Sequence, residues 1–140
     1  IIYNYGEERR SRSIASKIIK NRPIVNVEDL VNAIKKSTPP HKRNKTMARV
    51  FQAFRIAVNK ELDKLSDFLS KYIEHLEKGG KIIIISFHSL EDRLVKRNFK
   101  NYSKSGFLKI LTKKPIVATD VERSSNTRSK SAKLRCAEKI

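Results

Sequence analysis

The longest periodic run of apolar positions in the chain is Phe51, Phe54, Val58, Leu62, Leu65, Leu69, Tyr72 and Leu76, spaced by 3, 4, 4, 3, 4, 3 and 4 residues. That spacing follows the helical repeat and predicts one long helix, or two in phase, closed by Gly79-Gly80. The period then changes. Ile82 to Ile85 is an unbroken β-branched run, which predicts a central parallel strand covered on both faces. Upstream, Ile14, Ala15, Ile18 and Ile19 make a narrow stripe on a helix expected from Glu7 to Asn21, stopped by Pro23. The opening Ile1 to Tyr5 shows no turn or cap before it. A short helix capped by Asn26 follows, with Val27, Leu30, Val31 and Ile34 apolar, and Thr38-Pro39-Pro40 ends it before a basic loop, HKRNK.

Downstream of the isoleucine run, Ser89 can cap a helix from Leu90 to about Asn101, with Ser89 and Asp92 in capping-box positions. Phe107 to Leu111 reads as a strand ended by Pro115, and Ala118 to Lys130 as polar and irregular. Alternation returns in Ala132, Leu134, Cys136 and Glu138, a half-buried last strand. Helices first and strands later suggest one end of an α/β sheet.

At 39% hydrophobic over 140 residues, the chain can build a core for one domain or two small ones. Its 32 basic and 14 acidic side chains leave a formal charge of +18, which points to a polyanionic partner, nucleic acid ahead of an anionic membrane surface. The excess sits at the ends: 12 basic against 4 acidic residues in 1–50, 10 against 7 in 51–100, and 10 against 3 in 101–140. No run is long enough to cross a bilayer, and IIYNYGEERR has no leader pattern, so a cytoplasmic location is expected. Cys136, the single cysteine, reads as a small buried hydrophobe in a reducing compartment.

The stretch SFHSLEDR places Ser86, His88 and Ser89 at the carboxyl end of the isoleucine strand, where α/β sheets gather ligands. The plainer alternative is that Ser89 caps the helix, Asp92 complements its dipole and His88 bonds to a neighbouring loop. No G-x-S-x-G elbow supports a catalytic triad. His41, His75 and His88 are far apart, and one cysteine makes no thiolate site, so no metal is expected. Arg49, Gln52, Arg55 and Asn59 form a polar stripe at spacings of 3, 3 and 4, either a solvated face or a phosphate-contacting one. Arg9, Arg10 and Arg12 carry the same two readings. The cluster around Arg128, Lys130 and Lys133 suits either a phosphate-wrapping loop or a linker.

Taken together, YGEERRSRSIASKI, FQAFRIAVNKEL, GGKIIIISFHSLEDRLVKRNF, KKPI and RSKSAKLRCAEK, in that order and over nearly the whole chain, resemble the C-terminal half of the MraW/RsmH family. These are S-adenosylmethionine-dependent methyltransferases acting on the exocyclic N4 of a cytidine in small-subunit (16S) ribosomal RNA. Thr127, where the family usually has proline, and NKTMARVFQ depart from the family pattern. The resemblance implies an α/β fold: a partial Rossmann-like methyltransferase sheet, its last three strands, with a helical insertion domain. Residues 1–57 would be mainly the RNA-facing insertion and 58–140 the C-terminal part of the methyltransferase domain. Lys81 to Ser86 would be the sheet's fifth strand, with Phe107 to Leu111 and Ser131 to Glu138 as the hairpin at its far edge.

The resemblance further implies a substrate pocket floored by Ser86, His88 and Ser89. It implies RNA contacts from Arg9, Arg10, Arg12, Arg49, Arg55, Asn59, Arg93, Arg128, Lys130 and Lys133, with catalytic residues unassigned. None of Gly6, Gly79, Gly80 and Gly106 forms a cofactor turn, so S-adenosylmethionine is expected to be held mainly by a preceding N-terminal half. This chain alone is then expected to be inactive and to self-associate through a bare sheet edge. A non-catalytic ribosomal-type RNA-binding protein and a DNA-directed amine methyltransferase are the rival readings.

Overall fold

A computed structural model describes residues 1–140, which form two compact units, Ile1–Glu61 and Leu62–Ile140. The first is helical. It contains α1 (Ile2–Gly6), α2 (Ser11–Lys20), α3 (Val27–Lys35) and α4 (Arg43–Asn59). Ile2, Ile14, Ile34 and Val50 make its core, with Ile18, Leu30, Met47 and Phe54 packed around them. The opening residues form a helix, its Ile2 buried in this core. Helix α2 starts four residues later than the sequence suggests, because Glu7 takes a left-handed conformation (φ 49°) that ends α1. Asn26 caps α3 as expected, its side chain accepting from Asp29 N while Asp29 returns bonds to Asn26 N and Val25 N.

The expected loop HKRNK is instead a 3₁₀ turn, Pro40–Lys42, running into α4. Proline at the first position of a helical turn loses no bond, so Pro40 begins this segment as well as ending the previous one. The long apolar run is two helices, α4 and α5 (Glu61–Lys71), broken at Lys60 with φ 52°. Its phase misleads on burial in α4. The covered face there is Thr46, Val50, Ala53 and Ile56, while Phe51 is at the surface and Val58 is 81% exposed.

The second unit packs α5, a 3₁₀ turn (Tyr72–His75) and α6 (Ser89–Lys104) on one face of a four-stranded antiparallel sheet. The strands are β1 (Lys81–Ser86), β2 (Leu108–Ile110), β3 (Ile116–Val117) and β4 (Lys133–Lys139). Strand order is β1-β4-β2, with β3 also on β4. The core is Leu69, Tyr72, Ile82, Val95, Phe99, Leu108 and Ala137. Asn98 on α6 ties the layer together, donating to Leu69 O at 2.8 Å and accepting from the Tyr72 hydroxyl at 3.0 Å. Burial, with the nearby Tyr102, raises the Tyr72 hydroxyl pKa, so it stays a donor.

Three expectations for this unit are corrected. Within this chain β1 is neither parallel-paired nor covered twice: Ile82 is buried, yet Ile83 and Ile85 are 61% and 52% exposed, because the helices cover one face only. The last strand buries the opposite parity from that expected. Arg135 and Ala137 lie opposite Ile84 and Ile82 on the helix-covered side, and Leu134 and Cys136 on the other. The segment 118–130 is mostly helical, with α7 (Asp120–Ser125) capped by Thr119, then a 3₁₀ turn, Thr127–Ser131. Asp120 and Glu122 in its first turn suit that N-terminus.

Candidate functional site

Strand β1 runs directly into α6 through Ser86-Phe87-His88. His88 has the extended backbone of a cap (φ −142°, ψ 166°), and its Nδ1 accepts from Glu91 N at 3.3 Å. The Glu91 carboxylate answers by accepting from Phe87 N at 2.8 Å and His88 N at 3.3 Å. The capping box thus lies one residue earlier than Ser89–Asp92. Glutamate is long enough to reach back three residues, and Ser89 becomes the first helical residue. With Nδ1 accepting, the proton of the neutral ring is on Nε2, 3.5 Å from Glu91 Oε1. Ser86 is 1% exposed, and its Oγ has no hydrogen-bond partner in the chain.

Asp92, freed from capping, has a different task. Arg135 Nε and Nη2 donate to its two oxygens at 2.7 and 3.2 Å, and Lys133 Nζ lies 3.8 Å away. Burial pushes the Asp92 carboxyl up. The Arg135 hydrogen bond and charge, with Lys133 and Lys96, outweigh that and hold it below the usual carboxylate range.

In the first unit a hollow of about 450 Å³ opens between the start of α2 and α4, with Arg9, Arg10, Lys42, Lys45 and Arg49 around a buried Glu8. Glu8 Oε1 accepts from Arg10 N at 3.0 Å, and Oε2 from Thr46 Oγ1 and Arg49 Nη1 at 3.3 and 3.4 Å. Burial raises its pKa, but those bonds and the Arg49 charge bring it below the ordinary value. Glu8 thus orients part of a basic wall that Glu7 also borders, with Arg10 Nη1 donating to Ser37 O at 3.2 Å.

The structure brings Arg9, Arg10 and Arg49 to one hollow, while Arg12 lines a separate, apolar one beside Ile18 and Phe54. The stripe Arg49, Gln52, Arg55 and Asn59 is largely engaged within the protein. Gln52 donates to Tyr5 O, Arg55 makes a two-point contact with Glu61 at 2.8 and 3.2 Å, and Asn59 reaches the same carboxylate. Arg93 borders a shallow groove with Asp63, Ser66 and Arg97. Arg128 and Lys130 are exposed on the 3₁₀ turn, and Lys133 leans on Asp92. Sequence reasoning missed Glu8, Lys42, Lys45 and the Asp92–Arg135 pair. The first and last could not be found without knowing which faces are covered, whereas Lys42 and Lys45 were visible as HKRNK and misplaced on a loop.

The residues present do not fit a complete S-adenosylmethionine site. Gly79 and Gly106 (φ 80° and 79°) precede strands, Gly6 is packed on α4, and the strand-to-helix turn Ser86–His88 contains no glycine to admit a cofactor against its backbone.

The family model described as the MraW methylase family matches residues 1–140. Ribosomal RNA small subunit methyltransferase H of Nostoc sp. is 54% identical over 142 residues, covering 99% of this chain and 46% of that protein. Its namesake in Nostoc punctiforme is 52% identical over 143 residues, covering 100% of this chain and 47% of the relative. A Synechocystis protein of the same name is 50% identical over 143 residues, 100% of this chain and 46% of the relative. The chain spans about half the length of the curated relatives it matches.

Proposed function

Because the chain belongs to the MraW methylase family, we propose that it is the substrate-side, C-terminal part of an S-adenosylmethionine-dependent methyltransferase that modifies the exocyclic N4 of a cytidine in small-subunit ribosomal RNA. The observation that carries this reading is the end-to-end match of residues 1–140, with relatives at 50–54% identity named for ribosomal RNA methylation. The strand order β1-β4-β2, with β4 reversed between two strands that run the same way, agrees with the far edge of a Rossmann-like methyltransferase sheet.

The lone pair of an exocyclic amine is delocalised into the ring, so methylation requires acceptors that hold its N–H groups and aim the nitrogen at the methyl donor. Such a base must leave its stack. In this reading Ser86, His88 and Ser89 form the floor of the crevice that receives it. His88 is a positioning residue, since its Nδ1 is committed to the start of α6. The helical unit, through Arg9, Arg10 and Arg49, grips phosphates, and Arg12, Arg93, Arg128, Lys130 and Lys133 add further cationic contacts. Arg55 and Asn59 contribute less, being turned to Glu61. Methyl-donor binding belongs to other parts of the polypeptide, and the bare edge and exposed face of β1 are where they, or a second copy, would pack.

The test is methyl transfer by the complete protein to small ribosomal subunits and to duplex DNA, with the product base identified by mass spectrometry. N4-methylcytidine in ribosomal RNA is the expected result. Binding without transfer would return the chain to the ribosomal-type reading, and transfer to DNA alone would overturn the RNA assignment.

A further inference from the structure

The second unit also contains a hollow that none of Ser86, His88 and Ser89 lines. It has a volume of about 700 Å³ and sits between the C-terminal half of α6 and β2. Phe99 and Leu108, both nearly fully buried, with the half-buried Ile110, make its floor. Four lysines stand round it: Lys96 and Lys100, one helical turn apart on α6, Lys109 on β2, and Lys113 just beyond that strand. All four are exposed, and none makes an ion pair or hydrogen bond. No acidic side chain lines the hollow, and the one arginine there, Arg135, has its guanidinium committed to Asp92. Lys96 does act at a distance on Asp92, but that carboxylate already holds two nearer cations.

Like charges one turn apart on a helix are mildly destabilising, and Lys113, just beyond β2, adds a third. Glu138 on β4 stands opposite Lys109 and offsets that charge, but no acidic residue lines the hollow beside Lys96, Lys100 or Lys113. A solvated lysine face alone would explain the charges but not a hollow of this size with the half-buried Ile110 open to it. Such a hollow ringed by cations suits a ligand with a flat, weakly polar part and several negative charges along a flexible thread. The net charge of +18 favours nucleic acid over an acidic protein segment. Single-stranded RNA has that chemistry, because an unstacked base seeks apolar cover and its flanking phosphates seek ammonium groups.

We infer that this hollow is an accessory RNA-binding site, taking an unstacked nucleotide against the half-buried Ile110 and the lysine stems while Lys96, Lys100 and Lys113, with Lys109 at the rim, bind the flanking phosphates. It rests on the RNA-directed reading above and extends it, since Lys96 lies at the middle of α6, Lys100 on its later turns, and Lys109 and Lys113 beyond it. The helix rises about 1.5 Å per residue, so Lys100 is on the order of 16 Å along the axis from Ser89. A strand held here would be anchored at a distance from the modified base.

The test uses the complete protein and a short single-stranded RNA, with Kd measured against salt concentration. Each phosphate contact on a single strand contributes about 0.7 to the slope of log Kd against log salt. Replacing all four lysines by glutamine is expected to lower that slope by about 2 to 3 and to weaken binding about 10- to 100-fold at roughly 0.1 M salt. Replacing all four by arginine is expected to keep both. Retention of slope and affinity in the glutamine variant overturns the inference, as does weaker binding at an unchanged slope, which marks a structural effect. If the glutamine variant instead loses affinity for polyglutamate while holding RNA normally, the hollow serves an acidic protein. Loss of methyl transfer by the wild-type protein, with the RNA slope still dependent on these lysines, would remove the proposed function and leave this site standing.

Discussion

Arg135 meets Asp92 with both forks of its guanidinium, Nε to Oδ1 at 2.7 Å and Nη2 to Oδ2 at 3.2 Å, and so fastens the middle strand β4 to the first turn of α6. Both side chains are mostly buried, at 7% and 13% exposure, so removing one partner strands a charge in the interior. Asp92→Ala is expected to cost about 3–5 kcal/mol in urea unfolding. The paired replacement Asp92→Leu with Arg135→Met is expected to recover much of that. If the double variant is no better than the single one, the pair is not what joins these elements.

The same carboxylate gives the fold a pH dependence whose sign is fixed. Its folded pKa lies below the ordinary value, so its contribution is complete above the unfolded value of about 4 and is lost as pH falls through the lower, folded one. Glu8 behaves likewise in the helical unit. Stability is therefore expected to fall steeply below about pH 4, and Asp92→Asn to flatten the acid limb of a denaturation-against-pH curve. An unchanged acid limb would show that Asp92 titrates alike in both states.

Much of this was legible in the chain, and the failures have common causes. The switch from 3.6-residue to strand periodicity at Gly79-Gly80 correctly separated helices from sheet, and Asn26 correctly started α3. Faces were harder. Leu134 and Cys136 are the apolar parity of the last strand, yet Arg135 and Ala137 are the buried one, because an ion pair made inside by Asp92 outweighs local hydropathy. Period alone also could not see the break at Lys60, since Val58 and Leu62 keep a spacing of four across it. In SFHSLEDR the polar cluster was visible, but the division of labour between Glu91 as cap partner and Asp92 as ion-pair partner depends on where β4 lies.

Gly6 packs α1 directly against the backbone of α4. A Cβ there would lie 2.7 Å from Arg49 O and 3.3 Å from the Ala53 Cβ, and a backbone carbonyl cannot swing aside as a long side chain can. Gly6→Ala is expected to cost about 1–3 kcal/mol and to loosen the wall carrying Arg49. Thermal melting together with RNA affinity checks it. A neutral or stabilising outcome would mean the two helices separate freely.

His88 separates a capping role from any further role at the crevice. Asparagine at a cap keeps an acceptor for Glu91 N but has no group at the position of Nε2, while alanine loses both. His88→Ala is expected to cost about 0.5–2 kcal/mol of stability, and His88→Asn much less than that. If the histidine also shapes the substrate floor, the two variants should nonetheless share a fall in methyl transfer by the complete protein, seen in kcat more than in RNA affinity. Wild-type turnover in His88→Asn, with only the alanine variant impaired, would reduce His88 to the start of a helix and withdraw it from the proposed site.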